Sequence, residues 1–172
     1  MDISNINVSA TNTEVGLKIG DAGAPVKVIE FVNLRCPYCR QWFDESAETF
    51  AEYVASGKVQ RIIKLFDKTK PGLDKGNIMH KYVPQEPTEG LAAIAAIYQS
   101  QDDWGNLESF AEVADFAEQT LGLTLAEDPA VAESIVSEAA EAGIIFVPTM
   151  VVNDDIFDQK ISQTAFKALL DA

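Results

Sequence analysis

Val26-Lys27-Val28-Ile29-Glu30-Phe31-Val32-Asn33-Leu34-Arg35-Cys36-Pro37-Tyr38-Cys39 joins an apolar, β-branched run to a pair of cysteines. The run follows the turn formers Gly23-Ala24-Pro25 and predicts a central strand buried on both faces, with Glu30 as its one acidic member. Past Cys36 the period changes. Trp42, Phe43, Ala47, Phe50, Ala51 and Val54 recur at helical spacing, and Gly57 stops the helix. Residues 59–66, Val-Gln-Arg-Ile-Ile-Lys-Leu-Phe, return to strand character. Strand, helix and strand in this order predict a βαβ unit with a parallel, right-handed connection.

The only two cysteines of the chain thus fall where a strand hands over to a helix. A disulfide between residues so close in sequence closes almost no loop and stabilises little, so the pair is not a structural staple. At a helix amino end, unpaired N–H groups and the macrodipole favour an anion. Such sites lower a thiol pKa from about 8.5 to roughly 3.5–7.5, and the thiolate is the nucleophile. Arg35 adds a nearby positive charge. Cys39 lies one helical turn above Cys36 on the same face. Cys36 is therefore expected to be exposed and to attack a partner sulfur, and Cys39 to be covered and to resolve the mixed disulfide. Pro37 suits the first helical turn, where its missing N–H has no intrahelical partner. A structural zinc site needs four ligands, and the single histidine, His80, stands far from the cysteines in sequence, as an expected surface or capping residue. No metal is expected in this chain alone, although a cluster bridged between two subunits would need only one thiolate from each plus an external thiol.

Between residues 67 and 143 the pattern is helical. Lys70-Pro71-Gly72 marks a turn, and Leu91, Ile94, Ala95 and Tyr98 line one face. A second helix is expected from Asn106, with Leu107, Phe110, Ala114 and Ala117 inward. A third starts at Asp128-Pro129, an N-cap and first-turn proline, and ends at Gly143. Strand character resumes over 144–153 despite Pro148, Asn153-Asp154-Asp155 turns the chain, and Ile156-Phe157 returns. Ser162 caps a last helix expected to bury Ala165, Phe166 and Leu169. The fold class is α/β. Residues 1–66 and 144–172 make a core of mixed sheet flanked by helices, and residues 67–143 form an all-helical insertion. At 47% apolar residues the chain can bury a core without metal or staples. With 27 acidic against 13 basic residues, net −14, it repels phosphate backbones, so nucleic acid is not an expected partner. No apolar run approaches the ~20 residues that span a bilayer. The first residues lack the basic and apolar regions of a secretory signal, so a cytoplasmic location is expected, or an extracytoplasmic one if a signal was removed.

These residues resemble the thioredoxin superfamily and, within it, the DsbA-like group. The likeness rests on Cys36-Pro37-Tyr38-Cys39 at the strand–helix junction, on Val147-Pro148-Thr149 in the later strand, and on the helical insertion. It implies a cis proline at Pro148 facing the cysteines. Val147 and Pro148 would then bind an incoming peptide as a short strand, alongside Pro37 and Tyr38. It implies a role for Glu30 beneath the active site, where desolvation would disfavour its charge and let it exchange a proton with Cys39. Two departures stand out: Phe146 occupies a place where the family often has glycine, and Pro37-Tyr38 is the dipeptide typical of glutaredoxins.

The expected function is dithiol–disulfide exchange with protein or peptide thiols and an unidentified redox partner, through a monomer needing no cofactor beyond its own sulfur pair. Two alternatives stay open. One is a redox-sensing adaptor or chaperone-like peptide binder with weak catalysis. The other is a glutathione-linked oxidoreductase, against which the low basic content argues.

Overall fold

A computed structural model describes residues 1–172. Its centre is a five-stranded sheet in the order β1-β3-β2-β4-β5. Strands β2 (Val26–Val32) and β3 (Val59–Leu65) are parallel and joined by helix α1 (Pro37–Ala55), as the βαβ pattern predicts. Strand β4 (Thr149–Val152) runs antiparallel to β2, and β5 (Asp155–Phe157) returns from it as a hairpin. The remaining strand, β1 (Leu17–Ile19), lies antiparallel on the outer edge of β3 and has no counterpart in the sequence reading. It is three residues long, too short for a visible alternation. Gly16 and Gly20 bracket it at φ 134° and 107°, where a side chain would press on the carbonyls of Ile63 and Val59.

From β3 to β4 the chain forms helices α2 (Asp74–His80), α3 (Pro87–Gln99), α4 (Gln101–Trp104), α5 (Phe110–Asp115) and α6 (Pro129–Ala142). Helix α5 begins after Ser109, not at Asn106, because Ser109 and Glu112 close a reciprocal capping box. It widens into one π-helical turn over Phe116–Thr120. Phe110, expected inside, is exposed, and Val113 and Ala117 take the interior face. Helix α6 is bounded as its local signals dictate: the Asp128 carboxylate accepts from the Val131 N–H, and Gly143 ends it in the left-handed region at φ 74°.

Three apolar clusters hold the layers together. One face of the sheet meets α1 and the last helix, α7 (Gln163–Asp171), through Val26, Val28, Trp42, Phe50, Met150 and Phe166. The opposite face meets α6 through Phe31, Ile62, Ile135 and Ala139. The third cluster joins both cysteines to the helices of the insertion through Leu34, Met79, Ile94, Tyr98 and Trp104. Within α1 the inward face is Cys39, Trp42, Ser46, Thr49 and Phe50, whereas Ala47 and Ala51 are exposed. Residues this small carry little weight in a hydrophobic stripe, so the bulky Trp42 and Phe50 set the helix rotation. In α7, likewise, Phe166 and Leu170 are buried and Ala165 is exposed.

Candidate active site

Cys36 is the N-cap of α1, with extended backbone (φ −72°, ψ 120°), and Pro37 occupies the first helical turn. Its side chain makes no capping hydrogen bond but sits at the amino end of the helix. The thiol pKa is lowered from 9.0 to about 7, first by a hydrogen bond from the Cys39 thiol, then by the backbone N–H groups of Cys39 and Tyr38 and the charge of Arg35, with burial opposing. Cys39, one turn along, is wholly buried, and its pKa is raised well above 9.0 by burial first and by its coupling to Cys36 second. The two sulfurs are thus driven in opposite directions: one toward the thiolate, the other toward the thiol.

Cys36 is not the exposed thiol expected, for only 5% of its surface is accessible. The segment ahead of β4 covers it. The Cys36 thiol donates to the Val147 carbonyl at 3.5 Å, and the Val147–Pro148 peptide bond is cis. Strand β4 begins only at Thr149, so Pro148 precedes the ladder instead of interrupting it, and the predicted strand over 144–153 is shorter at both ends. Pro37 and Tyr38 are exposed beside the sulfur. Ile145 and Phe146, also exposed, lead into Val147. Tyr38, Ile145 and Phe146 therefore flank the Cys36–Val147 contact with apolar surface.

Glu30 lies beneath this site and is not the lone desolvated carboxyl expected there. Arg61 donates to it through Nε at 2.7 Å and a terminal guanidinium nitrogen at 3.1 Å, and Trp42 Nε1 donates at 2.7 Å. Both side chains of the ion pair are buried. Arg61 also lies over the Phe50 ring at 3.9 Å. These partners compensate the desolvation of the buried carboxylate. Glu30 and Arg61 nevertheless border a small void together with Cys39, Trp42 and Tyr98.

His80 departs furthest from expectation. Its side chain is buried at the end of α2, where Nε2 accepts the Leu34 N–H at 3.1 Å and Nδ1 lies 2.7 Å from Asp67 Oδ1. Since Nε2 accepts, the ring proton sits on Nδ1 and donates to Asp67, which fixes the neutral tautomer. The Leu34 carbonyl in turn accepts from Gln101 Nε2 at 2.8 Å. Asn33 completes the loop: its Oδ1 accepts the Arg35 N–H at 2.9 Å and its Nδ2 donates to the Phe66 carbonyl at 3.1 Å. A side chain at Gly76 would run into Asn33 and the Arg35 N–H. The insertion therefore grips both backbone groups of the residue two before Cys36. Asn33, Arg61, Gly76, His80, Tyr98 and Gln101 all belong to the site and none is marked as such by local sequence. No group of three or more His, Cys, Asp or Glu side chains gathers as metal ligands, and no helix is long and apolar enough to cross a membrane.

A family model described as thioredoxin matches residues 12–172. No match is found among curated proteins. Among solved structures, a conserved protein of unknown function from Enterococcus faecalis V583 is 47% identical, with 100% of this chain and 98% of that chain covered and a TM-score of 0.98. The α-DsbA1 protein of Wolbachia pipientis is 21% identical over 93% of this chain and 91% of its own, with a TM-score of 0.71. Oxidised BdbD of Bacillus subtilis is 15% identical over 97% and 94%, with a TM-score of 0.66. At the identities of these last two the likeness is one of fold: a mixed five-stranded sheet with helices, shared with DsbA-like proteins.

Proposed function

The chain belongs to the thioredoxin family, and on that premise we propose that it is a thiol–disulfide oxidoreductase acting on polypeptide disulfides or thiols through Cys36 and Cys39. One observation carries the reading: two thiols a helical turn apart have their pKa values moved in opposite directions, and the ionisable one lies against the Val147 carbonyl. In the reducing direction the Cys36 thiolate attacks a partner disulfide. A bond forms between Cys36 Sγ and one partner sulfur, and the other partner sulfur leaves with the electron pair and takes a proton. Cys39 then gives up its proton and attacks Cys36 Sγ, and the first partner sulfur departs as a thiolate. The chain is left as the Cys36–Cys39 disulfide and the partner is reduced by two electrons. The reverse sequence oxidises a dithiol. The sulfur pair carries the electrons, so no metal or organic cofactor is invoked, and a monomer suffices.

The apolar rim of Tyr38, Ile145 and Phe146 favours an extended polypeptide over glutathione as the partner. Its backbone would pair with the segment at Val147 as an added strand. In a reducing, cytoplasmic setting the pair would rest as the dithiol and act as a reductase or relay. Insulin reduction by wild-type, Cys36→Ser and Cys39→Ser proteins tests the reading. Cys39→Ser should accumulate a mixed disulfide on Cys36, and Cys36→Ser should neither turn over nor trap a partner. Turnover surviving in Cys36→Ser would refute the assignment.

A further inference from the structure

Acidic residues outnumber basic ones 27 to 13 in this chain, so a group of cations without carboxylate partners stands out. Arg40, Lys58, Arg61, Lys64, Lys81 and Lys167 each lie within 4.0 Å of a carboxylate. Arg35, Lys68, Lys70 and Lys75 do not, and they gather about Cys36. Arg35 directly precedes Cys36, and its guanidinium lies against Gly105. Lys75 donates to the Gly105 carbonyl at 3.2 Å, and its neighbour Gly76 abuts the Arg35 N–H. On the other side, Lys68 donates at 2.7 Å to the carbonyl of Ile145, two residues before the Val147 that touches Cys36. Lys70 is exposed, and its charge acts on Lys68.

A carbonyl fixes an ammonium in place without neutralising it. An ammonium has three donors, so Lys68 and Lys75 each keep two for a partner. Lys68 is half-buried, and its pKa is lowered by burial first and by the charge of Lys70 second. Two like charges are thus held near each other with no anion to relieve them. The carboxylates closest in sequence are engaged elsewhere: Asp67 accepts from His80, Asp74 accepts from the Gly72 N–H, and Asp102 faces Arg40.

We propose that the polypeptide with which this site exchanges carries carboxylates on the residues flanking its reacting cysteine, and that Arg35, Lys68, Lys70 and Lys75 select it. The proposal rests on the exchange reaction above and names the class of its partner. The bonds made and broken are those already given, and the four cations act on binding. An extended chain rises about 3.3 Å per residue. A carboxylate roughly two or three residues from a cysteine seated on Cys36 therefore has the reach to meet Lys68 beside Ile145. The apolar side chains of Ile145 and Phe146 meet the residues between. The net charge of −14 does not cancel this local attraction. At physiological ionic strength, exposed charges more than about 8 Å apart are largely screened.

The test uses three peptides of one length, each closed by its own disulfide. They differ only in whether glutamate, glutamine or lysine flanks the cysteines. The rate at which the reduced protein reduces each peptide is divided by the rate with dithiothreitol, which removes differences in intrinsic reactivity. At physiological ionic strength the glutamate peptide should react roughly fivefold faster than the glutamine peptide, as two or three exposed charge pairs allow. The lysine peptide should be slower still. The preference should fade at about 1 M salt, where the screening length is only about 3 Å. Lys70→Glu with Lys75→Glu, which keeps Arg35 beside Cys36, should erase the preference, and Lys70→Gln with Lys75→Gln should cut it by about half. Equal normalised rates for the three peptides with wild-type protein would overturn the proposal, and so would a preference untouched by the charge reversal. Glutathione disulfide also sets carboxylates about each cysteine. It should lag behind the glutamate peptide, and faster exchange with it would overturn the choice of a polypeptide. If wild-type protein reduces no peptide at all, the exchange reading fails and this inference with it, whereas equal turnover of all three sinks the inference alone.

Discussion

Each face of the sheet buries one ion pair, and the two differ in what lies next to them. On the α1 face Arg61 bonds Glu30, and on the α6 face Lys64 bonds Glu138, both at 2.7 Å and both with side chains at most 5% exposed. The second pair is closed on itself. Glu138 Oε2 accepts from Lys64 and Oε1 from the Asn12 N–H, and Lys64 donates again to Asn12 Oδ1. It ties α6 and the N-terminal segment to β3. Burial, its largest influence, pulls the Lys64 pKa down, and Glu138 opposes that. The first pair is open: Glu30 keeps a lone-pair site unused and shares the void with Cys39 and Tyr98. A buried ion pair contributes little net stability in itself, since desolvation offsets the Coulombic gain. One of the two is enclosed by the fold, and the other lies beside the buried sulfur of Cys39.

The comparison breaks most visibly when half of a pair is removed. Glu138→Ala and Glu30→Ala should each cost about 3–5 kcal/mol, because a buried charge is left unmatched, as read from urea unfolding of the reduced proteins. Only Glu30→Ala should also slow resolution of the mixed disulfide. An equal kinetic defect in Glu138→Ala would erase the distinction between the faces. Replacing the closed pair whole, as Lys64→Met with Glu138→Leu, should return stability to within about 1–2 kcal/mol of wild type.

Next in size is the pH response of the sulfur above the open pair. With its pKa lowered to about 7, Cys36 should reach half-maximal alkylation by iodoacetamide near pH 7, in wild type and in Lys64→Met alike. A lowered thiol pKa stabilises the reduced fold above the unfolded value of 9.0, and that contribution is lost as pH falls through about 7. The oxidised protein, with no ionisable thiol there, should show no such dependence in parallel unfolding curves. A profile centred at the ordinary thiol value would remove the helix-end effect.

His80→Ala is milder. It strands the buried Leu34 N–H and should cost about 1–3 kcal/mol, together with slower alkylation of Cys36 as the preceding loop loosens. Alkylation unchanged at full destabilisation would confine His80 to the fold. The smallest effect belongs to sites remote from both pairs: Ser109→Ala removes a capping-box hydroxyl and should lower stability by about 1 kcal/mol, with no change in exchange kinetics.

What the sequence by itself determined is whatever a few neighbouring residues decide. The β-branched run ending in Cys36-Pro37-Tyr38-Cys39 dictates strand, helix start and the one-turn spacing of the sulfurs. Asp128-Pro129 and Gly143 bound α6, and Ser162 caps α7, because caps act within one turn. Tertiary structure decided the rest. Cys36 is covered by Val147, 111 residues away in the chain, Leu34 is gripped by His80 and Gln101 at separations of 46 and 67, and Glu30 meets Arg61 at 31. A lone histidine, a tyrosine in an apolar stripe and an arginine in a strand look like ordinary surface or core residues until the chain folds back. Their partners are chosen by packing across the sheet and the insertion, and no local period or cap encodes such contacts.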